Sequence, residues 1–130
     1  MQRRKAILCL CHDAVMLRVR QMLLEHFGYE VWPTESIEDA AAIAVDSCPD
    51  MLLMDYSYPR VNLEQVAERI KKACPGILAV VLSPFFGVRR SPQTAVDRFL
   101  AQNDGPDALR ANLEELFATQ RGGDTATSAV

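Results

Sequence analysis

No apolar run in the 130-residue chain approaches the ~20 residues that a helix needs to cross a bilayer. Positive charge is scarce too: 14 Lys and Arg stand against 17 Asp and Glu, for a net charge of −3. Nucleic acid or an anionic membrane surface would favour a concentrated basic face, so neither is expected as a partner. Arg89-Arg90 and Lys71-Lys72 are only local pairs and read as solvated surface. The four cysteines, Cys9, Cys11, Cys48 and Cys74, include no CxxC pair, which argues against a structural zinc site. The basic start Met1-Gln2-Arg3-Arg4-Lys5 precedes a short apolar run, but no small-residue cleavage site follows it, and it is not read as a secretory signal. A cytoplasmic location with reduced thiols is therefore expected.

What the chain does have is 49% apolar residues with charges interspersed, in a length that can bury a core without metal or disulfide. We expect one domain over residues 1–121, and a flexible tail over residues 122–130, which are small and polar from Gly122 onward.

Apolar strands alternate with amphipathic helices along it. Ala6-Ile7-Leu8-Cys9-Leu10 is a continuous apolar run, as in a strand buried on both faces. Residues 14–27 then place Val15, Val19, Met22, Leu23 and His26 on one helical face, with Gly28 as a left-handed stop. Tyr29-Glu30-Val31-Trp32 reads as a strand ended by Pro33, and Ser36 with Asp39 resembles a capping box opening an alanine-rich helix. Met51-Leu52-Leu53-Met54 is a third strand that ends on Asp55. Asn62 suits the cap of a helix whose Leu63, Val66, Ala67 and Ile70 share a face. Residues 77–82 give the strongest strand signal and residues 98–101 a weaker fifth. The last helix starts at Asp104-Gly105-Pro106-Asp107 and carries Leu109, Leu113, Leu116 and Phe117. Between Ser83 and Phe99, Pro84, Gly87 and Pro92 disfavour a continuous helix, so the fourth helix should be shortened or irregular.

This alternation predicts an α/β fold, a doubly wound parallel sheet with helices on both faces. Ligands of such sheets collect at the carboxyl ends of the strands, where Asp13, Asp55 and Ser83 fall.

Over roughly residues 5–119 the chain resembles the receiver domain of two-component response regulators. The resemblance rests on the first strand with its Gly28-Tyr29-Glu30-Val31 sequel and on Pro49-Asp50-Met51-Leu52-Leu53-Met54-Asp55. Pro59 four residues after Asp55, and Ser83 after the fourth strand, complete it. It implies a five-stranded, flavodoxin-like sheet in the order 2-1-3-4-5. It also implies that Asp55 is the phosphoacceptor, attacking a phosphohistidine to give an acyl phosphate, and that Ser83 donates to a phosphoryl oxygen. The family's Mg²⁺ offsets the repulsion between two anions, and is held by an acid pair after the first strand, the acceptor carboxylate and a backbone carbonyl.

Here the acid-pair positions carry Cys11 and His12, with Asp13 one residue later, and the family's lysine position carries Gln102. The ligands left for Mg²⁺ are Asp55, Asp13 and the Ser57 backbone, so a weak or absent metal site is expected. The resemblance implies a histidine kinase or phosphotransfer protein and a separate output protein as partners. It also implies a homodimer through the face of the fourth helix, fifth strand and last helix. Three non-enzymatic readings follow: a stand-alone phosphorelay receiver using Asp55, a phosphorylation-independent interaction module, or a redox or transition-metal sensor using Cys11 and His12. Loss of the acid pair and lysine favours the second; retained Asp55 and Ser83 favour the first. Cys9 reads as core, and Cys48 and Cys74, each preceding a proline, read as ordinary small residues at helix ends.

Overall fold

Strands that are apolar on both faces must be covered on both sides, and that requirement sets the layering. The structure is a computed structural model that describes residues 4–56, 60–83, 95–101 and 104–129. Five parallel strands, β1 (Ala6–Leu10), β2 (Glu30–Thr34), β3 (Met51–Asp55), β4 (Leu78–Ser83) and β5 (Arg98–Ala101), form one sheet in the order β2-β1-β3-β4-β5. The described helices are α1 (Ala14–His26), α2 (Ile37–Ser47), α3 (Leu63–Ala73) and α4 (Pro106–Ala129). This is the predicted α/β architecture and strand order. Among the described residues no helix is long and apolar enough to cross a membrane.

Alternation along each strand divides the core in two. Leu8, Leu10, Leu52, Met54, Ala79 and Val81 pack with Ala40 and Ala44 of α2 and with Val66, Ala67 and Ile70 of α3. Ile7, Cys9, Met51, Leu53, Val80 and Leu82 pack with Leu17 and Leu24 of α1 and with Leu113, Leu116 and Phe117 of α4. Helix starts are fixed by side-chain caps: Ser36 accepts from the Asp39 N–H, and Asn62 from the Gln65 N–H.

Four expectations need correction. First, α1 is rotated from the face its apolar residues suggest. It buries Leu17, Arg20 and Leu24, while Val15, Val19 and Met22 are 72%, 52% and 62% exposed. The rotation brings Arg20 inward to a carboxylate, and that pairing decides which face docks. Second, β2 continues through Pro33 to Thr34. It is an edge strand, where a residue without an N–H is tolerated. Third, residues 122–129, expected as tail, continue α4 to Ala129. Gly122 and Gly123 each cost a helix only about 1 kcal/mol, and no proline follows Pro106 to end it. The expectation of a shortened or irregular fourth helix falls on residues 84–94, outside the described residues.

The fourth correction concerns the thiols. α2 and α3 lie side by side on one face of the sheet, so their C-terminal caps, Cys48 and Cys74, meet. Their sulfurs form a disulfide with a Cα–Cα distance of 5.5 Å across a sequence separation of 26. Cys9 and Cys11 remain free and buried. A loop of that length corresponds to about 3 kcal/mol of stabilisation through the unfolded chain. Reduction, or Cys74→Ala, is expected to lower the unfolding free energy by about that amount in urea titrations. Alkylation of the unfolded chain should add two labels without reductant and four with it; four labels in both cases would exclude the bond.

Candidate functional site

The carboxyl ends of β1, β3 and β4 lie side by side, with Asp55 opposite Leu82 and Ser83 opposite Ala101. Just beyond β1, the Cys11 N–H donates to the Thr34 carbonyl at 3.2 Å, which holds Cys11 at the sheet edge. Its thiol donates to Asp55 Oδ2 at 3.2 Å, with the Asp13 carbonyl 3.6 Å away. Arg20 reaches the same oxygen from α1, its Nη1 donating to Asp55 Oδ2 at 2.9 Å. The two side chains are only 7% and 5% exposed, so this is a buried ion pair. Ser83, buried at the end of β4, completes the group of polar residues at this edge.

The remaining predicted site residues divide plainly. Asp13 Oδ1 accepts from the Val15 and Met16 N–H groups at 2.9 and 3.1 Å, so Asp13 is the N-cap of α1. It was expected as a metal ligand, but the helix start uses that carboxylate oxygen. His12 is exposed while the adjacent Cys11 is buried, so the two do not face one centre. Among the described residues no group of three His, Cys, Asp or Glu side chains is placed to hold a metal. Ser57 and Gln102 lie outside the described residues.

The donor set does not fit Mg²⁺. A hard dication needs several carboxylate or carbonyl oxygens. Here the sulfur at the acid-pair position donates a hydrogen bond, and a guanidinium already sits against the carboxylate. Arg20 supplies the cation within the chain. The sequence reading missed it because a charged residue was counted out of the core. The available signal was its place midway in the 17-20-24 stripe, flanked by Leu17 and Leu24.

Both free thiols are held neutral. Burial pushes the Cys11 thiol up, the Asp13 backbone contact opposes this, and its hydrogen bond to the Asp55 carboxylate adds to it. Burial pushes Cys9 up to about 12, against the lowering influence of Arg20. A thiol, rather than a thiolate, is a poor metal ligand and nucleophile, which weakens the sensor reading.

No family model matches the chain. The phosphate regulon transcriptional regulatory protein PhoB of Pseudomonas aeruginosa is 32% identical over 126 residues, covering 93% of this chain. The chain spans about half that relative's length, 55%. A response regulator receiver domain protein (CheY-like) from Methanospirillum hungatei has a similar structure, with a TM-score of 0.78 at 20% identity over 93% of this chain and 99% of that one. The receiver domain of a sensor histidine kinase from Pseudomonas aeruginosa, with a magnesium ion coordinated in its active-site cleft, has a TM-score of 0.72 at 20% identity. That match covers 87% of this chain and 97% of the other.

Two outcomes follow from the geometry. Arg20→Met leaves a buried carboxylate without its cation and is expected to destabilise the fold by roughly 3–5 kcal/mol in urea titrations. Arg20→Met combined with Asp55→Leu should recover most of that loss; equal instability of both variants would show that the pair is not what fails. Cys9 contributes to the alkaline limb, as do Cys11 and Tyr29, which burial also pushes up. The folded pKa of Cys9 lies above the ordinary 9, so its contribution is complete below pH 9. As pH rises toward about 12 the unfolded state releases a proton that the folded state keeps. Stability should fall there by about 1.4 kcal/mol per pH unit, and Cys9→Ala should remove that part of the slope.

Proposed function

We propose that the chain is a receiver domain of the response-regulator type and that it signals without phosphorylation, as a protein-interaction module. The observation that carries this reading is the 2.9 Å contact between Arg20 and Asp55 inside the fold. A phosphoacceptor must present a free, negatively charged oxygen to an incoming phosphoryl group. Asp55 Oδ2 instead accepts hydrogen bonds from both Arg20 and Cys11, and the residue is 4% exposed. Nucleophilic attack from that oxygen requires breaking a buried ion pair first, which raises the barrier by the energy of separating two desolvated charges.

The partners of this module are proteins: a histidine kinase, a phosphotransfer protein or an output protein in a cytoplasmic two-component setting. The phosphorelay reading keeps one supporting observation, the burial of Ser83 beside the strand end that carries Asp55.

Acetyl phosphate or beryllofluoride, each with and without Mg²⁺, separates the two. No phosphoryl mass increase is expected, nor any saturable movement of the Asp55 amide resonance below millimolar Mg²⁺. A Mg²⁺-dependent mass increase that Asp55→Asn abolishes would instead establish Asp55 as a live acceptor.

A further inference from the structure

α1 carries a second apolar face that the fold leaves uncovered. Packing on the sheet uses Leu17, Arg20 and Leu24, and a helix docked in this way ordinarily turns charge outward. Here Val15, Val19 and Met22 point outward instead, and the exposed His26 follows one turn later. With ~100° between successive residues, the 15-19-22-26 series forms one narrow stripe opposite the buried face. Its 4-3-4 spacing is that of a seam along which two helices interlock their side chains. Single exposed apolar residues need no explanation, whereas several on one line mark a contact surface.

The charges beside the stripe select what fits it. Arg18 and Glu25, both exposed, stand on one flank two turns apart, and the half-buried Met16 and Leu23 stand on the other. The stripe is centred between Val19 and Met22, and the Arg18–Glu25 pair is centred within one residue of that point. A second α1 laid antiparallel about a two-fold axis at this centre brings like flank to like flank and reverses the residue order. Arg18 of each copy then meets Glu25 of the other with an axial offset of about 3 Å, and Met16 meets Leu23. A parallel pairing would set the charges against Met16 and Leu23 instead. We propose that α1 is a self-association surface, its stripe pairing antiparallel with the same stripe of a second copy of this chain, with two Arg18–Glu25 ion pairs along one edge. Gln21 donates to Glu25 Oε2 at 3.3 Å along the same helix, an exposed contact that the pairing has to share. This face differs from the fourth-helix, fifth-strand and last-helix surface that the family resemblance implies. The inference goes beyond the signalling reading and does not depend on what Asp55 does. A three-turn stripe buries less surface than a permanent dimer needs, so the pairing is transient, with a dissociation constant on the order of 100 μM.

Sedimentation equilibrium and amide-resolved NMR of the intact chain test this from about 10 μM to about 2 mM, a range that brackets the expected value. The wild type should associate, with concentration-dependent shifts centred on the α1 amides. Met22→Gln removes the apolar centre at an exposed position and should weaken association about tenfold. Arg18→Glu and Glu25→Arg should each weaken it by about as much, because each sets like charges together in both pairs. An equimolar mixture of those two variants should associate at least as tightly as the wild type, since every pair across the mixed dimer is then of opposite sign. All three substitutions lie at exposed positions and should leave the spectrum of the dilute monomer otherwise unchanged. A monomer throughout the range would overturn the proposal and leave the stripe to a helix of another protein. Association unaffected by Met22→Gln would move the contact to another face, and a mixture no tighter than its separate variants would overturn the antiparallel register.

Discussion

A single buried ion pair organises one end of this fold. Asp55 ends β3 in the middle of the sheet, and Arg20 rises from α1 to meet it at 2.9 Å. The rotation of α1 and the exposure of Val15, Val19 and Met22 both follow from turning Arg20 inward. Cys11 donates its thiol hydrogen to the same carboxylate, and burial, with that hydrogen bond adding to it, pushes the thiol up. Against a well-packed apolar pair such an arrangement contributes little net stability. Its weight lies in specificity, because either charge left alone in that interior is strongly unfavourable.

The fold was readable in the residues because its strands are continuous apolar runs and its helix starts carry recognisable caps. Ser36 and Asn62 do at their helices what their positions suggest. Asp13 obeys the same rule, yet the resemblance drew attention to it as an acid near a metal site and away from its place one residue before a helix. The site was less readable because its decisive group comes from a position that hydrophobic counting treats as solvent-facing. Arg20 became visible only when the fold brought residues 35 apart into contact. Cys48 and Cys74 illustrate a different obstacle. No local motif pairs cysteines 26 residues apart, and only the parallel descent of α2 and α3 onto one face brings them together.

The two helical layers are therefore secured by unlike means. On the α2–α3 side Ala40 and Ala44 pack in one cluster with Val66, Ala67 and Ile70, and a covalent link joins the helix ends. On the α1–α4 side larger apolar residues pack around the strand ends, and the link to the sheet is electrostatic. The first responds to redox conditions and the second does not.

The burial of Arg20 bears on how far a familiar residue can be trusted as a marker. Once a guanidinium occupies this interior, the carboxylate opposite it cannot be replaced by a single neutral substitution without stranding a charge. A lineage that reached this state would keep its strand-end aspartate for packing reasons alone, whatever became of its chemistry. The two positions form a ratchet: each holds the other in place, and only a paired replacement releases both. In this chain the arginine of the first helix already accounts for an aspartate at the end of the third strand, so the aspartate by itself is no sign of phosphotransfer.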